Sequence, residues 1–108
     1  TDPGHAIWKR DLHWSGSVFS IVLRDVGWAA ARAFTDRLKL FRIGASWGGI
    51  HSLVSVYESA PERSYPGPDA KAPIVRLSVG LEHPDDLIAD LERGLIATRK
   101  IGKPTRRK

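Results

Sequence analysis

Ser46-Trp47-Gly48-Gly49 and a lone arginine, Arg76, form the chain's strongest chemical signal. A hydroxyl, an indole N–H and backbone amides left open by two glycines can line a pocket. Arg76 lies in the apolar run Ile74-Val75-Arg76-Leu77-Ser78-Val79, where its planar guanidinium can grip a carboxylate through two parallel hydrogen bonds that lysine would not reproduce. The chemistry indicated is recognition of an amino-acid carboxylate. Taken singly, each residue also has an ordinary use. An arginine on the polar side of a half-buried strand is commonly solvated or paired, and paired glycines mark tight turns more often than ligand loops. Trp47 is more telling, because an indole beside a glycine turn walls a pocket and offers a donor.

Other chemistries find less support. Gly44-Ala45-Ser46-Trp47-Gly48 matches the G-x-S-x-G pentapeptide of serine hydrolases. That elbow needs a large parallel sheet and a later acid and histidine in that order; His83, the one later histidine besides His51, is followed by a helix-starting Pro84. His5, His13, His51 and His83 fall at none of the short helical spacings that place two imidazoles on one metal, so no metal site is expected. With no cysteine there is no disulfide, thiolate ligand or cysteine nucleophile, which suits a reducing compartment; the cytoplasm is expected. No stretch approaches the roughly 20 apolar residues of a membrane span, and the first residues lack the pattern of a secretory signal. The net charge of +5 raises a nucleic-acid reading. Much of the excess, however, sits in a basic tail over residues 99–108, while the body mixes both signs; a solvated, frayed tail is the simpler reading.

The elements that must position Arg76 and the glycine turn can be read from pattern. With 108 residues the chain suffices for one domain with a real core. Residues 17–24 are β-branched and aromatic, apolar on both faces, and predict a central strand. Asp25 is suited to cap a helix running to about residue 38, with Ala30, Phe34 and Leu38 on one face. Residues 39–45 predict a short strand delivering the chain into the Ser46 turn. Residues 59–73 hold four prolines and read as an exposed loop. Residues 74–79 predict a strand with Val75, Leu77 and Val79 on a dry face and Ile74, Arg76 and Ser78 on the other. A final helix is predicted from Pro84, with Asp85 and Asp86 in its first turn and Arg99 and Lys100 in its last. Leu87, Ile88, Leu91, Leu95 and Ile96 would form its apolar stripe, and Gly102 with Pro104 would stop it. The sum is a small α/β layer, a sheet with helices on one face and the other partly open to meet another domain. Trp8, Trp14 and Trp28 carry more aromatic area than so short a chain can bury, and part of it would suit an interface.

Several blocks in fixed order resemble the Cys/Met-metabolism enzymes of the fold-type-I pyridoxal-phosphate class, and among them the cystathionine β-lyases. The blocks are Trp8-Lys9-Arg10-Asp11, Phe19-Ser20, Ser46-Trp47-Gly48-Gly49 with Ser52-Leu53, Val75-Arg76-Leu77 with Gly80-Leu81-Glu82, and Asp85-Asp86-Leu87-Ile88-Ala89-Asp90-Leu91. Trp47 favours the β-lyases, since the related γ-synthases and γ-lyases usually carry leucine there. The resemblance implies the small C-terminal domain of an aspartate-aminotransferase-like architecture, with residues 1–108 as a single domain of a longer, homotetrameric enzyme. It also implies that Arg76 binds the substrate α-carboxylate, with Ser46 and Trp47 lining the same end of the pocket. For the whole enzyme the resemblance implies pyridoxal 5'-phosphate as the cofactor that would stabilise carbanion charge, a lysine as the base for the Cα proton, and cleavage of cystathionine to homocysteine, pyruvate and ammonia for methionine biosynthesis.

The family's cofactor lysine lies in a Ser-x-Thr-Lys context, and none of Lys9, Lys39, Lys71, Lys100, Lys103 or Lys108 has it. No catalytic or cofactor-binding residue is therefore expected in this chain, and alone it should have no lyase activity. The partner expected is the missing cofactor-binding part of the same enzyme. His51 stands where the family usually has glutamate, and Ser15-Gly16-Ser17 where it has Ser-Ser-Gly or Ala-Ser-Gly. Alternatives are a fragment of a cystathionine γ-synthase, a γ-lyase or a methionine γ-lyase. From another class, the alternative is a stand-alone basic interaction or nucleic-acid-binding module.

Overall fold

A computed structural model describes residues 3–59 and 72–101. Within them the chain forms α1 (His5–Asp11), β1 (Val18–Val22), α2 (Trp28–Arg37), β2 (Arg42–Ile43), β3 (Leu53–Tyr57), β4 (Ile74–Ser78) and α3 (Pro84–Arg99). The strands make one sheet in the order β1-β4-β3-β2, with β1 and β3 antiparallel to β4 and β2 parallel to β3. Val54, Val75 and Leu77 point from the sheet into a core shared with Ala31, Phe34 and Leu38 of α2 and its C-cap, and Leu87 of α3. This is the expected α/β layer with helices on one face. The register sets Ser20, Arg76 and Ser55 side by side across β1, β4 and β3. Because strand side chains alternate, these three occupy the face opposite the helices.

The first strand departs from expectation. Among the described residues β1 lies at the sheet edge, paired only with β4, and its Phe19 and Val22 remain exposed. Its apolar run reflects β propensity rather than burial on two sides. The central strands are β4 and β3, and β3 has no counterpart among the elements read from pattern. The expected strand over residues 39–45 shrinks to two residues. Asp25 does not cap α2: it adopts φ 55°, a left-handed conformation that aspartate tolerates, and Gly27 takes the N-cap position. Ala30, Phe34 and Leu38 are buried as expected.

α3 begins at Pro84 as expected, and His83 caps it by accepting from the Asp85 N–H through Nδ1 at 3.1 Å. Its buried face is different from the stripe read from sequence. Leu87, Asp90, Gly94 and Thr98 are buried, whereas Ile88, Leu95 and Ile96 are exposed. A Cβ at Gly94 would lie 2.8 Å from the Phe34 ring, so the two helices approach closely only because residue 94 has no side chain. Asp90, fully buried, accepts from the backbone N–H groups of Lys39 (2.8 Å), Leu40 (2.9 Å) and Phe41 (3.2 Å) and from Arg93 (2.7 Å). It thereby satisfies donors that a longer β2 would have paired in the sheet. Most of the loop expected over 59–73, the stop at Gly102 and Pro104, and the tail beyond residue 101 lie outside the described residues; Arg99 itself is in α3 and Lys100 is its C-cap.

α1 contributes no buried residue, and its ring contact is local, His5 stacked on Trp8 at 5.6 Å. Ile7, Trp8, Leu12 and Trp14 are all exposed, whereas Trp28 is half-buried. Among the described residues no helix is long and apolar enough to cross a membrane.

Candidate functional site

The glycine turn is a loop over residues 44–52 that leaves β2, crosses toward β4 and returns into β3. Residues 45–51 are all exposed, Trp47 at 66%. Little side-chain packing holds such a segment, so its position rests on hydrogen bonds. At its start the Gly44 N–H donates to the Val54 carbonyl at 3.0 Å, and Ser55 Oγ donates to the Gly44 carbonyl at 2.6 Å.

Arg76 then engages the loop from β4. Its Nη2 donates to the Ala45 carbonyl and lies 3.5 Å from the Ser46 carbonyl. Two residues on, Ser78 Oγ accepts from the Gly48 N–H at 3.3 Å. Gly48 adopts φ 78°, a conformation glycine takes without strain. Past the strand end, the Leu81 N–H donates to the Ile50 carbonyl at 2.8 Å. Finally, Glu82 takes the loop's end with both carboxylate oxygens, accepting from the Ser52 N–H at 2.7 Å and the Ser52 hydroxyl at 2.6 Å, while Ser52 Oγ accepts from the Gly80 N–H at 2.8 Å. Residues 76, 78, 80 and 82, spaced by the two-residue period of an extended chain, thus fasten the loop from residue 45 to residue 52.

Arg76 and Ser46 are brought together as the sequence suggests, with Trp47 adjacent and open to solvent. The Ser46 contact to Arg76 runs through its carbonyl rather than its hydroxyl. Arg76 Nε and Nη1 make no hydrogen bond among the described residues, so donors on both of these nitrogens are left for an incoming acceptor. Burial pushes the Glu82 carboxyl up, but the hydrogen bonds from Ser52 and from its own backbone amide, with a smaller electrostatic contribution from His51, outweigh it and hold the group below its ordinary value. Ser52, Ser55, Ser78 and Glu82 carry no role in the sequence-based reading of the site. The position of Ser78, two residues after Arg76 on the same strand face, is the available signal for one of them.

The sequence pattern of the family described as Cys/Met metabolism PLP-dependent enzyme matches residues 1–96. The chain is 44% identical over 97 residues to a cystathionine beta-lyase of Bordetella avium, covering 87% of this chain and 24% of that protein. Among solved structures it is similar to a cystathionine gamma synthase from Xanthomonas oryzae pv. oryzae, with TM-score 0.65 and 32% identity over 91% of this chain and 26% of the other. It is also similar to an apo methionine gamma lyase from Micromonospora echinospora, with TM-score 0.59 and 38% identity over 86% of this chain and 24% of the other. The chain therefore spans about a quarter of the length of these relatives. From its sequence and its fold, it belongs to the Cys/Met metabolism family of pyridoxal-phosphate-dependent enzymes.

Proposed function

We propose that residues 1–108 form the single C-terminal, substrate-carboxylate-binding domain of a cytoplasmic cystathionine β-lyase, with residues 99–108 as its basic tail. The observation that carries this reading is the seating of Arg76: one guanidinium nitrogen, Nη2, is held by the loop carbonyls of residues 45 and 46, while Nε and Nη1 make no hydrogen bond among the described residues. A positioned guanidinium with unused donors on the sheet face opposite the helices suits a carboxylate acceptor. The exposed apolar side chains of α1 and the segment after it, Ile7, Trp8, Leu12 and Trp14, suit packing against the rest of a longer enzyme, a homotetramer in this reading.

The cofactor lysine belongs, in this reading, to the rest of the enzyme. Among the described lysines, Lys39 donates its backbone N–H to Asp90, Lys100 lies beside Arg37 and Arg93 where α3 meets α2, and Lys9 is on α1. The part played by this chain is binding and orientation. Arg76 fixes the carboxylate end of the amino acid, the loop walls it, and reactive groups in the rest of the enzyme act on the bond so presented. The isolated chain then has no lyase activity.

The similarity to a γ-synthase and a methionine γ-lyase favours a second reading, a γ-acting member of the same family. Product analysis with the intact enzyme and L-cystathionine separates the two. Homocysteine and pyruvate in equal amounts support the β-lyase; cysteine and 2-oxobutyrate would replace it with the γ-acting reading.

A further inference from the structure

We propose that Glu82 is a positioning residue for the carboxylate site: by clamping Ser52 it fixes the loop whose Ala45 and Ser46 carbonyls orient Arg76. The inference rests on the reading of Arg76 as the carboxylate ligand and extends it to a residue that does not touch substrate. Glu82 is joined to the loop by two short hydrogen bonds, from the N–H and the hydroxyl of the same serine, which is itself fully buried. The Ser52 hydroxyl commits its one proton to Glu82 and accepts from the Gly80 N–H. Between this clamp and Arg76 lie residues 46–51, all exposed, including Gly48 and Gly49, at neither of which a Cβ would meet any atom within 4 Å. A segment with so little packing keeps its shape only as well as its anchors do. An ionised carboxylate makes a strong anchor, since charge-assisted bonds are the stronger kind and an acceptor with two oxygens suits two donors from one residue.

Glu82→Gln keeps the shape but removes the charge and turns one acceptor into a donor, so either the Ser52 N–H or the Ser52 hydroxyl proton loses its acceptor. In the intact enzyme with L-cystathionine, this variant is expected to raise KM about 3- to 10-fold, the range for weakening one or two hydrogen bonds, while kcat changes less than twofold. Ser52→Ala, which removes the hydroxyl arm together with the acceptor of the Gly80 N–H, should raise KM in the same direction. Because Glu82 acts through Arg76, Glu82→Gln introduced into Arg76→Lys should add less than twofold to KM. Amide hydrogen exchange should also quicken over residues 46–52 in Glu82→Gln and stay unchanged in α2. Equal KM increases from Glu82→Gln in both backgrounds, or unchanged KM in Glu82→Gln and Ser52→Ala alike, would overturn the positioning role. Unchanged KM in Arg76→Lys alone would remove the carboxylate reading together with this extension of it.

Discussion

Gly80 runs directly against the backbone of Ile50. A Cβ at position 80 would strike the Ile50 carbonyl and come within 2.7 Å of the carbonyl carbon of His51. The next residue, Leu81, donates to that same Ile50 carbonyl at 2.8 Å, so the contact cannot be relieved by moving the loop away without breaking a hydrogen bond. The obstacle is backbone rather than a flexible side chain, and no rotamer change can absorb it.

Gly80→Ala is accordingly expected to destabilise the intact protein by about 1–3 kcal/mol, the usual cost of overpacking. The strain falls on the loop, so KM for the amino-acid substrate should rise as well. Urea midpoints and initial-rate kinetics measure the two effects. A variant as stable as the parent, with the parent's KM, would mean that the close approach at residue 80 does not hold the loop.

At Gly94 the clash is with side chains. The Phe34 ring atoms at 2.8 Å and Leu38 Cδ2 at 2.9 Å belong to residues already buried in the core. Alanine gains about 1 kcal/mol of helix propensity over glycine, yet overpacking costs about 1–3 kcal/mol. Gly94→Ala should therefore be neutral to destabilising by roughly 2 kcal/mol, and Gly94→Leu should be worse. Thermal unfolding of both variants tests the ranking, and a stabilised Gly94→Leu would contradict the packing described.

Asp90 should make stability sensitive to acid. Burial raises its pKa, but the N–H groups of Lys39, Phe41 and Leu40 and the Arg93 guanidinium together outweigh burial and hold it below the ordinary carboxylate value. The unfolded chain takes up the proton near the ordinary value, about 3.9. The stabilisation is then complete above that pH and is lost as pH falls through the lower folded value. Glu82, also shifted down, acts in the same sense. Urea midpoints measured from about pH 6 down to about pH 2 should fall below about pH 4, and Asp90→Asn should show a flatter slope with a lower plateau. Asp90→Ala, which strands three N–H groups and Arg93, should cost about 3–5 kcal/mol near neutral pH. Full stability in Asp90→Ala would show that the network contributes nothing.

The parts of the fold carried by local pattern are legible in the sequence. The Ala30-Phe34-Leu38 face of α2, the alternation around Arg76 in β4 and the start of α3 at Pro84 all follow from side-chain periodicity and capping chemistry within one element. What stays hidden depends on pairing between distant elements. The run from Val18 to Val22 gives no sign of having only one neighbour, and the short alternation in Leu53-Val54-Ser55-Val56-Tyr57 is overshadowed by the glycine turn before it. Asp90 resembles an ordinary exposed helix acid paired with Arg93 until the N–H groups of residues 39–41 arrive from another element. Asp90, Gly94 and Thr98 recur every four residues with small or polar side chains; that spacing is the signal that α3 packs through close contact along this row as well as through Leu87 and Leu91.

At the site the division is similar. Arg76, Ser46 and Trp47 stand out by residue type, because an arginine in an apolar strand and an indole beside two glycines are unusual. The serines and Glu82 that fasten the loop are common surface residues, and their use emerges only when 44–52 and 76–82 lie side by side.

The carboxylate role of Arg76 is tested by the kinetics of Arg76→Lys in the intact enzyme with L-cystathionine, alongside its bound cofactor content. Lysine keeps the charge but loses the planar fork. A KM raised about tenfold or more, with cofactor content equal to the parent's, is the predicted result. An unchanged KM would take Arg76 out of the substrate site, and with it the role assigned to this domain.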